Sequence, residues 1–275
     1  MPATSISSGS ASERRVRQMS PDADAMPTMP LRLRDISLFE QVVLAVSFIL
    51  FSVYVLDPFF LERSKALAPE ARSFLQTITN VGQSNWMLIP AGSAVALALV
   101  LRRTHPGFRN AAGYGLIAST VGLVFVSVGG AGLIANLGKY IFGRARPKLF
   151  DTLGPFDFQL FSFTPDHASF PSGHATNFFA LATVLGMLWP RGRVLLYTMA
   201  AWVAASRVLI GQHYFTDAVG GAILGTVFPY FVRERFAARR WLFEPLPGGR
   251  GYRVRGERTR NWLGWPGTSA ASPEK

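Results

Sequence analysis

A short polar stretch in the last third of the chain lies between two apolar runs and contains residue types that can act on a phosphate group. It reads Ser206-Arg207-Val208-Leu209-Ile210-Gly211-Gln212-His213-Tyr214-Phe215-Thr216-Asp217. The carboxylate of Asp217 can accept the N–H of one nitrogen of the His213 imidazole and leave the other nitrogen free as a nucleophile. Arg207 adds a planar, permanently charged group whose N–H donors suit phosphate oxygens. Ionisable groups beside apolar runs are typical of functional sites in membrane proteins.

Two more polar clusters occur upstream, and each also lies at the end of an apolar run. They are Lys139-Tyr140-Ile141-Phe142-Gly143-Arg144-Ala145-Arg146-Pro147 and Pro171-Ser172-Gly173-His174. If the apolar runs are membrane helices, all three clusters end at the same membrane face. That convergence predicts one site assembled from three separate parts of the chain.

The composition is typical of a membrane protein. Hydrophobic residue types make up 49% of the 275 residues, charged types make up only 16%, and the apolar residues occur in blocks. Several blocks approach the roughly 20 residues that a helix needs to cross a hydrocarbon layer of ~30 Å. The chain has no cysteine, which excludes disulfides and thiolate metal sites. The sequence therefore predicts an all-α protein that crosses the membrane several times.

We expect six transmembrane helices packed in a bundle. The first span is expected to end at Asp57-Pro58, and the polar segment 57–84 after it should lie at the membrane interface. Gly221 and Gly225 have the spacing of small residues that let two membrane helices approach closely. The predicted spans cover about 37–56, 85–101, 112–137, 173–189, 194–211 and 218–232.

The fifth and sixth spans should be separated by a break. On one unbroken helix, Arg207 would lie roughly 120° around the axis from His213. We therefore expect a break near Gly211, with His213 in the turn and Asp217 at the start of the sixth span.

Six spans place both termini on the same side of the membrane. That side then carries 20 of the 28 Lys and Arg residues, in the leader (5), the second-to-third loop (3), the fourth-to-fifth turn (2) and the tail (10). The positive-inside rule makes it the cytoplasmic side. Most of the net charge of +12 is thereby explained without a nucleic-acid partner. The expected parts are a disordered cytoplasmic leader (1–35), a six-span domain (36–232) and a basic cytoplasmic tail (233–275).

The three polar clusters resemble the signature of the type 2 phosphatidic acid phosphatase family, which also includes vanadium haloperoxidases and bacterial class A acid phosphatases. Its pattern is Lys, six residues and Arg-Pro; then Pro-Ser-Gly-His; then Ser-Arg, five residues, His, three residues and Asp, and this chain matches every part of it. The match is close over about 139–217, and the span plan extends it to about 37–232. The matching residues are Lys139, Arg146-Pro147, Pro171 to His174, Ser206-Arg207, His213 and Asp217.

The resemblance implies a role for each of these residues. His213 would attack phosphorus and form a phosphohistidine, while Asp217 would hold and stabilise its imidazole ring. His174 would protonate the leaving oxygen and then activate water. No metal or other cofactor is needed for this chemistry. Cations and backbone amides at a helix N-terminus would bind the phosphoryl oxygens, and these residues are Lys139, Arg146, Arg207, Ser172 and Gly173.

The resemblance also implies an integral membrane lipid-phosphate phosphatase, in a bacterial inner membrane and with its site on the periplasmic side. Its substrate would be a lipid of the outer leaflet, whose phosphate lies among the cations while its chains stay in the membrane. Candidate substrates are undecaprenyl diphosphate, phosphatidylglycerophosphate, phosphatidic acid and the lipid A phosphates. The motif does not choose among them, and the sequence leaves the oligomeric state open.

Three alternative functions remain to be separated from hydrolysis. The enzyme could be a phosphotransferase that passes the phosphoryl group to another acceptor. It could be a non-catalytic membrane protein that binds phospholipids, although the intact His and Asp set argues against this. Vanadate-dependent halide oxidation uses a similar pocket, but the small multi-span plan argues against it.

Several residues near the clusters are not assigned to the site. Arg144 and Lys148 are interpreted as interfacial residues whose long side chains reach towards water. His167 is expected to be solvated in the outer loop. The phenylalanine-rich segment 149–170 either dips into the outer leaflet beside a lipid entry route or only caps the helix bundle.

Overall fold

A computed structural model describes residues 37–80, 82–245 and 252–254. The predicted leader, 1–35, lies outside the described residues, as does most of the predicted tail after residue 245. The described part is mostly helical, as predicted. Its elements are α1 (Leu38–Phe51), α2 (Asp57–Lys65), α3 (Pro69–Asn80), α4 (Asn85–Thr104), α5 (Phe108–Phe142), α6 (Phe150–Leu153), α7 (Gly173–Leu188), α8 (Arg193–Leu209), α9 (Phe215–Ala238), β1 (Phe243–Pro245) and β2 (Tyr252–Val254).

The chain divides into two compact units, residues 1–46 and 47–275. In the first unit, the structure describes residues 37–46, which form the start of α1. The amide of Ser37 donates to a carboxylate oxygen of Glu40 at 2.7 Å, and the amide of Glu40 donates to the hydroxyl of Ser37 at 3.2 Å. This capping box satisfies two amides that lack partners within the helix. It explains why the helix begins where the first span was predicted to begin.

The second unit opens with a helical stretch that does not end where the sequence predicted. A π-helical turn, Ser52–Leu56, leads directly into α2, so Asp57 lies inside a helical stretch. Pro58 lies at the start of α2, directly after the π-helical turn, and the helical stretch continues through it. The predicted end of the first span at Asp57-Pro58 is therefore wrong. Asp57 is buried although it belongs to an apolar stretch, and such an acid needs a partner.

Helices α5, α7 and α9 pack together, and α4 and α8 join them. One apolar core is shared by α4, α5, α7 and α8, and a second is shared by α5, α7, α9 and the segment that follows α9. Helix α9 approaches α7 closely at Gly221, because a β-carbon there would lie only 2.5 Å from the carbonyl oxygen of Ser172. The predicted packing role of Gly221 is confirmed, and it places the start of α9 beside the start of α7.

Four stretches of the described residues are long and apolar enough to cross a membrane, judged by length and composition. Helix α7 is apolar but shorter. Helix α9 continues beyond the predicted end of the sixth span, and an antiparallel pair of short strands, β1 and β2, follows it. The four stretches are Leu38–Lys65, Pro69–Thr104 (which includes residue 81, outside the described residues), Asn110–Phe142 and Phe215–Ala238.

Candidate active site

The polar stretch between α8 and α9 forms a tight turn. Gly211 adopts a left-handed conformation with φ 70°, which glycine reaches without strain. The amide of His213 donates to the carbonyl oxygen of Arg207 at 3.3 Å, so the turn folds back onto the end of α8. Asp217 lies in the first turn of α9. The predicted break near Gly211, with His213 in the turn, is confirmed.

A distant arginine ties this turn to the segment that was predicted to be only interfacial. Arg72 of α3 donates to the carbonyl oxygen of Ile210 at 2.9 Å and to that of Ser64 in α2 at 2.6 Å. Its guanidinium thus joins the ends of α2 and α8. The segment 57–84 therefore helps to hold the turn between α8 and α9 in place.

His213 and Asp217 are buried next to each other. Nδ1 of the imidazole lies 3.7 Å from Oδ2 of the carboxylate, which is an ion-pair distance but too long for a hydrogen bond. The same Oδ2 accepts hydrogen bonds from the hydroxyl of Ser169 at 2.5 Å and the amide of Tyr214 at 2.9 Å. Burial lowers the pKa of His213 to about 4, outweighing the opposite effect of Asp217. The imidazole is therefore neutral near pH 7, the form that can act as a nucleophile.

Arg144 lies next to this pair. The sequence interpretation of Arg144 as an interfacial residue is therefore wrong. Its side chain is only 3% exposed. Nη1 donates to Oδ1 of Asp217 at 2.6 Å, and Nη2 donates to Oδ2 of Asp57 at 2.9 Å. The amide and hydroxyl of Thr216 also donate to Asp57, at 2.9 and 2.6 Å. One arginine thus neutralises two buried carboxylates, one of which faces His213.

Sequence reasoning missed this network because its members are far apart in the chain. Asp57 and Arg144 are 87 residues apart. The available signal was Asp57 itself, since an acid beside an apolar run requires a cation or hydrogen-bond donors nearby. It was interpreted instead as the residue that ends a helix.

Three other cations have no carboxylate within ion-pair distance in the described part of the chain. Nζ of Lys139 lies 3.4 Å from the position that a β-carbon on Gly173 would occupy. Arg207 donates to the hydroxyl of Thr79 at 3.3 Å. Nε of Arg146 donates to the carbonyl oxygen of Pro165 at 2.8 Å. Neutral oxygens hold the two arginine side chains, and Lys139 lies beside Gly173, so all three charges remain available to an anion.

The Pro-Ser-Gly-His cluster opens α7 beside these cations. The amide of Ser172 donates to the carbonyl oxygen of Asp217 at 3.0 Å, which joins the starts of α7 and α9. His174 lies in the first turn of α7 and packs against Gly82, where a β-carbon would lie 2.4 Å from Cδ2 of the imidazole. Nη1 of Arg146 lies 3.5 Å from the side-chain oxygen of Gln212 in the turn. The structure thus brings together the three clusters that the sequence analysis placed in the site.

Two predictions about the outer loop have different outcomes. His167 was expected to be solvated, but it is buried, and its Nε2 lies 3.0 Å from Oδ2 of Asp157. That prediction is wrong because Asp157 lies ten residues upstream, at a spacing that no local motif indicates. Lys148 is exposed and pairs with Asp166 at 2.6 Å, which agrees with its assignment outside the site. The ammonium of Lys148 lowers the pKa of Asp166.

Several known proteins are similar to this chain. Residues 120–241 match the family described as the PAP2 superfamily. The chain is 34% identical over 189 residues to a lipid A 1-phosphatase of Rhizobium johnstonii, which covers 68% of this chain and 76% of the relative. It is 32% identical over 186 residues to a lipid A 1-phosphatase of Rhizobium etli, covering 63% of this chain and 75% of that relative. The crystal structure of Aquifex aeolicus LpxE aligns with a TM-score of 0.45 and 19% identity, over 64% of this chain and 93% of that one.

Proposed function

Because this chain belongs to the PAP2 superfamily and is an integral membrane protein, we propose that it is a phosphatase that removes a phosphate group from lipid A. The observation that carries this proposal is a group of three cations, with no acidic partner among the described residues, that lies with two histidines where the three sequence clusters meet. Such a group suits the multiply charged oxygens of a phosphate ester. The lipid A 1-phosphatases of Rhizobium support the choice of lipid A among the candidate substrates.

In the first step, His213 attacks phosphorus. Nδ1 of its ring faces Asp217, so Nε2 is the nitrogen free to form the new N–P bond. The bond between phosphorus and the leaving oxygen breaks, and His174 gives that oxygen a proton. The product is a phosphohistidine at His213 and the dephosphorylated lipid alcohol.

In the second step, water releases the phosphate. His174 has lost its proton in the first step and can now accept one from water. The resulting hydroxide attacks phosphorus, the N–P bond breaks, and inorganic phosphate leaves with neutral His213 restored. Asp217 stabilises the imidazole whenever it carries positive charge.

The phosphoryl oxygens are bound throughout by Lys139, Arg146 and Arg207, together with the backbone amide of Gly173. The amide of Ser172, which was also expected to bind them, already donates to the carbonyl oxygen of Asp217. The amide of Gly173 lies at the start of α7, where a helix favours an anion. Since the cations neutralise the charge that develops, the reaction needs no metal, and activity should persist in EDTA. The described residues contain no group of three His, Asp or Glu side chains that could hold a metal ion.

The proposed topology keeps six spans with both termini in the cytoplasm. The spans are the stretch through α1 and α2, then α4, α5, α7, α8 and α9. The site then lies at the periplasmic ends of these helices in a bacterial inner membrane, within reach of the outer leaflet. The distribution of Lys and Arg supports this orientation. The disordered leader (1–35), the six-span phosphatase domain (36–232) and the basic tail (233–275) remain part of the proposal.

Phosphate release from purified protein in detergent tests this function. Lipid A should release phosphate, and His213→Ala should lower the rate by about 10⁴-fold. His105→Ala removes a histidine outside the site and should leave the rate unchanged. Undecaprenyl diphosphate, phosphatidylglycerophosphate and phosphatidic acid complete the panel. Trapping of acid-labile phosphate on the wild type, but not on His213→Ala, identifies the intermediate.

The panel also has outcomes that contradict the proposal. If lipid A releases no phosphate while another lipid does, the substrate assignment fails. If phosphate leaves lipid A only when an acceptor lipid is added, the protein is a phosphotransferase. Equal release by the wild type and His213→Ala would remove His213 from the mechanism.

A further inference from the structure

The segment 156–163, which we call the rim loop, exposes a row of large apolar side chains outside the helices. Leu160, Phe161 and Phe163 are 65%, 69% and 76% exposed. No charged residue occurs between Phe158 and Phe163. A surface of this kind normally marks a place where a protein meets another apolar phase.

The backbone of the rim loop is fixed, so this exposure is a property of a defined structure. The amide of Gln159 donates to the carbonyl oxygen of Gly143 at 2.9 Å, and the amide of Ala145 donates to that of Asp157 at 3.0 Å. Asp157, the only acid of the rim loop, is paired with His167 at 3.0 Å. The loop therefore directs its charge inward and its apolar side chains outward.

The apolar surface of the rim loop continues onto two stretches that are apolar enough to cross a membrane. The ring of Phe163 stacks on Tyr140 of α5, with centroids 5.2 Å apart. At the other end of the loop, Phe156 lies 5.1 Å from Tyr54 of the π-helical turn. Both tyrosines are themselves exposed. Two aromatic contacts thus join the loop to exposed surfaces of these apolar stretches.

Other aromatic residues near the rim loop have a different environment. Phe150 lies 6.3 Å from Tyr214 in the turn, and Phe170 lies 5.5 Å from Phe142 at the end of α5. Both are partly buried. The two interpretations of the phenylalanine-rich segment therefore apply to different residues. Phe150 and Phe170 cap the bundle, whereas the exposed residues of the rim loop have no such role.

We propose that the rim loop inserts Leu160, Phe161 and Phe163 into the membrane leaflet beside the phosphate site. The partner is the apolar part of the bilayer itself. Because Ala145, the neighbour of Arg146, is hydrogen-bonded to Asp157 of the rim loop, a lipid whose phosphate reaches Arg146 would have its chains beside the loop. The insertion is independent of the chemical step. Its effect on lipid turnover rests on the proposed phosphatase function.

The absence of cysteine in the chain gives a direct test of the insertion. Phe161→Cys, labelled with a fluorophore and placed in lipid vesicles, should be quenched by nitroxide lipids and protected from iodide in water. Phe125→Cys, in the middle of α5 and partly exposed, gives the signal of a lipid-facing position. Asp166→Cys, in the same outer segment, gives the signal of an aqueous position.

A label at residue 161 that iodide quenches like the label at 166 would overturn the proposal. Protection from both quenchers would also overturn it, because a protein partner would then cover the loop.

A second variant tests the effect on substrate. Phe161→Asn removes the ring and suits a backbone with φ 59°, since asparagine adopts the left-handed region more readily than phenylalanine. The KM for lipid A in vesicles should rise roughly tenfold, with hydrolysis of soluble p-nitrophenyl phosphate unchanged. Leu153→Asn is the matched control, because it makes an exposed apolar residue polar outside the rim loop. An unchanged KM would overturn the role in lipid turnover. Failure of every lipid to react would refute the phosphatase function and leave the labelling result intact.

Discussion

Arg144 and Arg146 belong to one sequence motif, yet they lie on two different sides of the site. Arg144 is buried and is neutralised by Asp57 and Asp217. Arg146 is partly exposed, and among the described residues its guanidinium donates to two neutral oxygens, those of Pro165 and Gln212. The first arginine supports the carboxylate beside His213. The second connects the outer loop to the turn that contains His213.

This difference shows how a cation that stabilises the fold can be distinguished from a cation that binds the substrate. Two buried carboxylates are stable only if a cation and hydrogen-bond donors compensate them, and Arg144 with Thr216 does so. Lys139, Arg146 and Arg207 repel one another, and no carboxylate in the described part of the chain forms an ion pair with any of them. Their free energy improves when an anion binds. A cation that lacks an acidic partner among the described residues therefore indicates the ligand, whereas a cation paired with two buried carboxylates indicates the scaffold.

The largest expected effect is the loss of Arg144. In Arg144→Ala, two carboxylates would remain buried without a cation, which should lower the free energy of unfolding by about 3–5 kcal/mol. Activity should be lost together with folding, because Asp217 would no longer be held beside His213. Denaturation in detergent, followed by helical circular dichroism, measures the change.

Two further variants make the result for Arg144 specific. Arg144→Lys keeps the charge but lacks the planar fork that reaches both carboxylates, so it should recover only part of the stability. Lys148→Ala removes an exposed cation paired with Asp166 and should change stability by less than about 0.5 kcal/mol. If Arg144→Ala were as stable as Lys148→Ala, Arg144 would not be the structural cation of the site.

The opposite result is expected for Arg146. Arg146→Ala should fold normally, because the residue has no buried acid to leave unpaired, but kcat/KM for lipid A should fall by about 10²- to 10³-fold. Vanadate imitates the transition state of phosphoryl transfer and should raise the melting temperature of the wild type more than that of Arg146→Ala. A variant that loses stability but keeps vanadate binding would reverse the assignment of the two arginines.

The residues proposed to bind and transfer phosphate could be predicted from sequence, and the residues that support them could not. Lys139, His174 and His213 were found because they match the residue types and spacings of the family signature that this chain resembles. The resemblance to the phosphatase family, drawn from these residues, is confirmed. The break near Gly211 was found because one straight helix cannot direct Arg207 and His213 to the same point.

The supporting residues depend on burial and on contacts between distant segments, which a single sequence does not reveal. Asp57 followed by proline resembles a helix end, and only a π-helical turn together with Arg144 makes it an interior residue. His167 looked solvated because Asp157 is not its neighbour in any regular element. In each case the missing information was a partner elsewhere in the chain. The secondary-structure propensities of neighbouring residues do not reveal such partners.

The smallest of the expected effects concerns His174, which is positioned by packing and has no hydrogen-bond partner within the described residues. In Gly82→Ala, the new β-carbon would approach the imidazole to 2.4 Å, so the ring must move. If His174 is the general acid, the kcat/KM for lipid A should fall roughly tenfold to a hundredfold. Turnover of p-nitrophenyl phosphate should fall much less, because a nitrophenolate leaves without a proton.

Gly113→Ala, where a β-carbon meets no atom within 4 Å, is the matched control. Equal losses on both substrates would mean that Gly82 matters only for packing, since displacement of a proton donor must depend on the leaving group.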